Sequence, residues 1–151
     1  MVRFKNRYLI GELGLGLFTE RKKERKGVTA GALLASIKKS VLNNFGEFGL
    51  GSAQSSLQVK WLDGKTGTNL FILRCSAATC QMVHMALTLL TEIGGNPVTI
   101  TVKSTKGSIR TCQEAILKQH LIDSYRQFDA GSSSMHVALK EIKQEIMGLK
   151  P

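Results

Sequence analysis

The sequence predicts an α+β fold, a mainly antiparallel sheet with helices packed on it, and three observations support this class. Stretches with a period of two residues alternate with stretches that carry an apolar residue every three or four positions. Glycine-rich turns separate these stretches, and the chain of 151 residues is 42% hydrophobic and 21% charged, an ordinary balance for a globular protein. A chain of this length folds as one domain and buries roughly two-thirds of the surface that its unfolded form exposes.

The first half of the chain predicts a strand, a helix and a hairpin. Residues 2–10 alternate between apolar and cationic side chains, as a strand does, whereas the glycines at 11–16 and the polar run 19–27 predict a mobile, basic loop. Thr29 is a suitable N-cap for a helix that ends at Gly46. The apolar stripe of this helix is formed by Leu33, Ile37, Val41 and Phe45. The β-rich runs at 56–62 and 68–75 enclose two glycines and predict the hairpin.

The second half continues with a helix and a strand and then adds two helices. Ser76 is a suitable cap for the second helix, which we expect to end at Gly94 and Gly95, and residues 98–102 alternate with threonines as a strand. The order β-α-β-β-α-β is typical of ferredoxin-like and RNA-recognition-motif folds. Two C-terminal helical stretches, 109–128 and 135–147, are additions to this fold, and a Ser-rich joint connects them.

The C-terminal helices carry apolar stripes that need a surface to cover. These stripes are Leu117, Leu121 and Phe128 in the first helix, and Leu139, Ile142 and Ile146 in the second. The first two helices of the chain occupy one face of the sheet, so we expect the third helix to cover the other face. We expect the final helix, left with too little surface, to dock on a partner or to stay mobile.

The net charge of +10 and the pI near 9.8 indicate a partner rich in phosphate. We predict that seven cations contact an RNA backbone, namely Arg3, Lys5, Arg7, Arg74, Lys103, Lys106 and Arg110. The basic run 21–26 is compatible with a nuclear import signal, an RNA-contacting arm or a polar loop. The third predicted strand lacks the glycine–aromatic pattern on which such folds stack bases. A merely solvated basic surface remains the alternative on charge alone.

Candidate catalytic and metal-binding residues do not form a convincing group. Cys80 and His84 share a helix face next to Cys75, but no second pair of ligands completes a zinc site. Cys112 and His120 are about 12 Å apart along one helix, too far for a nucleophile and its base. We therefore expect no catalytic residue, metal ion or other cofactor. The odd number of cysteines favours free thiols in a reducing compartment, and the apolar stretch at 9–18 is too short for a membrane span.

Three segments resemble the Pop-five family of ribonuclease P and RNase MRP subunits. They are residues 1–9, Thr66-Gly67 with Leu73-Arg74-Cys75, and Gly107-Ser-Ile-Arg-Thr-Cys112. The resemblance implies a Pop-five-like RNA-binding domain at 1–128, with the joint and last helix at 129–151. It also implies a non-catalytic subunit of a particle whose RNA holds the catalytic magnesium and matures the 5′ end of precursor tRNA, with a related particle processing precursor rRNA.

The resemblance also implies partners and a location. The expected neighbours are the ribonuclease P or MRP RNA, a TIM-barrel-like subunit and a second small, similar subunit; precursor tRNA is met only indirectly. The expected location is the nucleus and nucleolus. Two alternatives stay open: a generic RNA-binding or ribosomal protein of the same fold, and a small acylphosphatase-like enzyme.

Overall fold

The computed structural model describes residues 5–15, 28–63, 69–127, 140 and 143–150. The elements in chain order are β1 (Asn6–Leu15), α1 (Ala30–Gln54), β2 (Gln58–Leu62), β3 (Leu70–Ser76), α2 (Cys80–Thr88), β4 (Glu92–Ile93), β5 (Asn96–Lys106) and α3 (Ile109–Gln127). Residue 140 and residues 143–147 are helical and belong to the final helix. None of the described helices is long and apolar enough to cross a membrane.

The five strands form one antiparallel sheet in the order β2-β3-β1-β5-β4. Its four longer strands, with α1 and α2 as the crossovers, follow the β-α-β-β-α-β order and place β1 and β3 at the centre. The predicted α+β, ferredoxin-like class is therefore confirmed, with β4 as an additional short strand. The hairpin prediction is confirmed for β2 and β3, whereas its turn lies outside the described residues.

One face of the sheet packs against α1 and α2 and forms the larger core. Thr29 caps α1 as expected, because its hydroxyl oxygen accepts a hydrogen bond from the amide of Ala32 at 3.2 Å. The fully buried residues of this core alternate along the strands and recur every four residues along α1. They include Leu9, Leu13, Leu33, Ile37, Val41, Phe71, Leu73, Val83 and Leu87.

The opposite face of the sheet is covered by the first half of α3, as the sequence predicts. This second core consists of Tyr8, Ile10, Trp61, Leu70, Ile72, Cys112, Ile116 and Ile146. Leu117 packs against it, whereas Leu121 is 39% exposed. The side-chain amide of Gln113 donates to the backbone carbonyl of Ile146 at 2.7 Å. We expected the final helix to have too little surface to bury itself and to dock on a partner or stay mobile; for Ile146 this is wrong, because it is fully buried in the second core. Phe128, Leu139 and Ile142 lie outside the described residues.

The first strand runs further than its glycines suggest. The prediction ended it at residue 10 and placed 11–16 in a loose segment, but β1 continues to Leu15. Gly11 faces Phe71 in the register, and a Cβ on Gly11 would lie only 2.3 Å from the ring carbon Cζ. The missing side chain is what lets the buried ring lie across the strand, so this glycine belongs to the core.

Three predicted helix boundaries are also wrong. Gly46 does not end α1: it adopts φ 69° and kinks the helix, which continues to Gln54. The second helix starts at Cys80, after a turn in which the hydroxyl of Ser76 accepts from the amide of Thr79. It ends at Thr88, and Gly94 and Gly95 instead form the turn between β4 and β5.

Candidate nucleic-acid interface

Several predicted cations meet at the end of the sheet where β1 begins and where β3 and β5 end. The register pairs Tyr8 of β1 with Arg74 of β3 on one side and with Lys106 of β5 on the other. Side chains paired in this way lie about 5 Å apart at their Cβ atoms. Arg74 and Lys106 therefore flank Tyr8 on the face that carries α3. We call Lys5, Arg7, Arg74, Lys106 and Arg110 together the basic sheet end.

Arg7 lies at the same end but on the opposite face, paired with Cys75. One Nη atom of its guanidinium donates to the backbone carbonyl of Asn6 at 3.2 Å. The same atom lies 3.5 Å from where a Cβ would stand on Gly107, an ordinary van der Waals distance, so the guanidinium lies beside the backbone that leads into α3. Burial raises the pKa of the Cys75 thiol to about 12, with neighbouring Cys80 adding to the shift and the positive charge of Arg7 opposing it.

Arg74 is half-buried, and one hydrogen bond to another described residue orients its guanidinium. An Nη atom donates to the side-chain oxygen of Gln58 at 3.4 Å, while Nε is shielded from solvent and has no hydrogen-bond partner among the described residues. A guanidinium presents five donors in a rigid fork that suits phosphate oxygens. Arg74 thus keeps donor capacity at the sheet end that its protein neighbours do not use.

The start of α3 adds positive potential next to Lys106. The hydroxyl of Ser108 accepts from the amide of Thr111 at 3.3 Å, which caps the helix. Arg110 is exposed and lies 3.6 Å from Glu114, one turn further along. The first turn of a helix carries a partial positive charge on its free N–H groups. Lys5 is exposed at the rim, where its carbonyl accepts from the amide of Ala77 at 2.8 Å.

One of the seven predicted cations, Lys103, does not join this group, and another, Arg3, is not among the described residues. Lys103 forms an ion pair with Glu12, with Nζ and the carboxylate oxygen 2.6 Å apart. Lys103 has no residue opposite it in the β1–β5 register, because the register shifts by one residue between Ile10 and Gly11. Arg3 lies outside the described residues, as does the basic run 21–26. The structure therefore brings five of the seven residues together and leaves Lys103 separate.

The face that would stack bases in an RNA-recognition motif is covered. Tyr8 is 3% exposed, packed beneath α3 together with Ile10 and Ile72. Bases cannot reach this ring while α3 lies on it. The chemistry available at this end of the sheet is therefore charge neutralisation and hydrogen bonding to phosphate oxygens, which is independent of base sequence.

The thiols and carboxylates elsewhere do not assemble into a reactive group within the described part of the chain. No three histidine, cysteine, aspartate or glutamate side chains there are placed to hold a metal ion. Burial raises the pKa of the Cys112 thiol to about 12, an effect that nearby Lys106 opposes. A buried thiol with such a pKa is a poor nucleophile. The side chain of His120 lies outside the described residues.

The structure adds functional residues that the sequence argument missed. Ser108 caps α3, and Gln58 orients Arg74. The signal for the cap was present, because Ser108 precedes an apolar-periodic stretch. The role of Gln58 depends on strand register and had no local signal.

Comparison with known proteins gives consistent similarities. A sequence model described as the Rpp14/Pop5 family matches residues 7–117. The chain is 39% identical over 124 residues to the probable ribonuclease P/MRP protein subunit POP5 of Arabidopsis thaliana, covering 78% of each chain. It is 34% identical over 128 residues to ribonuclease P/MRP protein subunit POP5 of Schizosaccharomyces pombe, covering 80% of this chain and 88% of that one.

A solved structure shares the fold. A chain in the cryo-EM structure of yeast ribonuclease MRP superposes with a TM-score of 0.53 at 12% identity, covering 82% of this chain and 97% of that chain. Four members of the basic sheet end, Arg7, Arg74, Lys106 and Arg110, fall within the residues that the family model matches.

Proposed function

Because the chain belongs to the Rpp14/Pop5 family, we propose that it is a non-catalytic protein subunit of the ribonuclease P and RNase MRP ribonucleoproteins. The relatives named above are subunits of these two enzymes. The observation that carries the proposal is the basic sheet end, in which three strand termini and the start of α3 gather cations from distant parts of the sequence. Such a surface suits a folded RNA, whose phosphates lie close together in space.

In this proposal the protein stabilises the RNA rather than cutting it. Crowded phosphates in a folded RNA repel one another, and lysine and arginine side chains that replace condensed counterions relieve this repulsion. Arg74 and Arg7 hold phosphate oxygens through their guanidinium forks. Cleavage belongs to the RNA, which holds the catalytic magnesium. Purified protein free of RNA should therefore leave precursor tRNA intact, and cleavage that a point mutation in the protein abolishes would refute this assignment.

The proposed substrates, partners and location follow from the family. The ribonuclease P particle removes the 5′ leader of precursor tRNA, and the MRP particle processes precursor rRNA. Within either particle we place this chain beside the RNA, a TIM-barrel-like subunit and a second small subunit of similar fold, in the nucleus and nucleolus. Depletion of the protein in its own organism should cause precursor tRNAs with 5′ leaders to accumulate. Normal leader removal after complete depletion would contradict the proposal.

The RNA-binding role of the basic sheet end has a direct test in the salt dependence of binding. We compare Arg7→Ala, Arg74→Ala and Lys106→Ala with wild type, measuring affinity for the particle's RNA at several salt concentrations. Each lost phosphate contact should reduce the magnitude of the slope of log affinity against log salt by about 0.7–0.9. Unchanged slopes in all three variants would place the RNA surface elsewhere.

Lys103→Ala is the matched control for these variants. It removes the same charge from the same strand as Lys106→Ala, but Lys103 is already paired with Glu12. We expect its slope to change less than that of Lys106→Ala. An equal change in both variants would show that net charge, and not the basic sheet end, determines binding.

A further inference from the structure

We propose that the outer edge of β5, from Thr99 to Thr105, binds an extended segment of another protein whose side chains alternate between apolar and acidic. No described strand pairs with this edge. β4 pairs only with Asn96 and Pro97, and the amide of Val98 donates to the carbonyl of Thr91 at 2.9 Å. Beyond that bond, the described residues pair with β5 on its inner side alone, through β1. This proposal concerns a protein partner and not RNA, and its test rests on the proposed function because it uses the ribonuclease P or RNase MRP particle.

The hydrogen bonds already made fix which backbone groups point outward. Residues along a strand direct their N–H and C=O groups alternately to the two sides. Val98 bonds outward to Thr91, and Leu13, the partner of Ile100, bonds away from β5 to Asn69 at 3.0 Å. Ile100 and Val102 therefore present their N–H and C=O groups to the open side. A strand laid beside β5 would satisfy them.

The α2 side of this edge offers a place for an apolar side chain. A hollow of about 360 Å³ lies between α2 and β5, lined by Cys80, Gln81, His84, Met85 and Thr105. Met85 is 53% exposed at its rim. In an added strand every second side chain would point to this side. The hollow and the Met85 thioether suit a medium-sized aliphatic residue.

The remaining side chains of an added strand would point to the α3 side of the same edge. Thr99, Thr101 and Lys103 are exposed there, and Glu12 already pairs with Lys103. The net charge of +10 on the chain favours acidic side chains on an added strand. The same net charge argues against a second copy of this chain as the occupant, since each copy would carry +10.

Hydrogen exchange on the full chain, alone and in the particle purified through a tag on it, tests the proposal. The amides of Ile100 and Val102 should exchange freely in the isolated chain and at least about tenfold more slowly in the particle. A photo-crosslinker in place of Thr101 should link to a protein segment with the proposed alternation. Protection already present in the isolated chain would mean that the chain covers its own edge, and crosslinks to RNA or to a second copy would also refute the proposal. Failure of the chain to purify with any such particle would instead refute the proposed function.

Three variants separate the effect of the β5 edge from that of the rest of the surface. Met85→Glu should weaken incorporation into the particle roughly tenfold by placing a carboxylate at the hollow, whereas Met147→Glu, a methionine that is 55% exposed on the final helix, should not. Val102→Pro removes an outward N–H and leaves the β1 ladder intact. If that variant fails to fold, the two methionine variants still decide. Equal incorporation of Met85→Glu and wild type would contradict the proposal.

Discussion

Replacement of Gly11 by Ala should lower the free energy of unfolding by about 2 kcal/mol. A Cβ at this position would lie 2.3 Å from Cζ and 2.6 Å from Cε1 of Phe71, whereas ordinary contacts of a Cβ lie at 3.4–4 Å. The ring would have to move by about 1 Å, a displacement that close-packed neighbours resist. Phe71 is fully buried in the core beneath α1 and α2. The strain therefore spreads to residues that already fill their space, and overpacking of this kind typically costs about 1–3 kcal/mol.

Urea denaturation followed by circular dichroism measures this loss. The slope of the free energy of unfolding against urea concentration should be the same in the variant as in wild type. Gly31→Ala is the matched control, because among the described residues no atom beyond its chain neighbours and its own helix backbone lies within 4 Å of its Cβ position. This variant should be neutral or stabilise the fold by up to about 1 kcal/mol. Phe71→Leu should cost less in the Gly11→Ala background than in wild type, with a coupling energy of about 0.5–3 kcal/mol. A loss below about 0.5 kcal/mol for Gly11→Ala, or additive effects of the two changes, would refute the packing argument.

Three further predictions concern the final helix and the thiols. Gln113→Ala removes the donor to the Ile146 carbonyl, which should lower the stability of the docked final helix by about 1–3 kcal/mol and accelerate its hydrogen exchange. Unchanged exchange would show that this hydrogen bond does not hold the final helix in place. At pH 8 iodoacetamide should modify half-buried Cys80 before buried Cys75 and Cys112, which mass spectrometry of labelled peptides tests; equal labelling would contradict the burial. The free energy of unfolding should fall as pH rises from about 9 toward 12, because the unfolded thiols lose protons there while burial holds the pKa of Cys112 near 12. If the free energy of unfolding of Cys112→Ala falls as steeply with pH as that of wild type, Cys112 is not the cause.

The sequence predicted the element order well because that order is encoded locally. Alternation marks the start of β1 and β5, β-rich runs mark β2 and β3, an apolar residue every four positions marks α1, and Thr29 has the chemistry of a cap. The errors occur where a distant partner overrides a local preference. Gly11 resembles a loop residue until Phe71 crosses it, and Gly46 resembles a helix end until the kinked helix resumes beyond it.

The sequence predicted what kind of surface the candidate site is, but not which residues form it. The excess of basic residues and the family resemblance indicated an RNA-backbone surface. Which cations gather depends on strand register, which places Arg74 and Lys106 beside Tyr8. The pairing of Lys103 with Glu12 depends on a one-residue shift in the ladder. Neither relation leaves a trace in sequence spacing.

The central claim is that the basic sheet end holds this chain on the RNA of ribonuclease P and RNase MRP. The most direct measurement is sequencing of the RNA retained by tagged protein, comparing wild type with a triple variant in which Arg7, Arg74 and Lys106 are replaced by Ala. We predict that wild type enriches the RNA components of these two enzymes and that the triple variant, folded as judged by circular dichroism, loses most of that enrichment. Enrichment of unrelated RNAs by wild type, or full retention by the triple variant, would contradict the account.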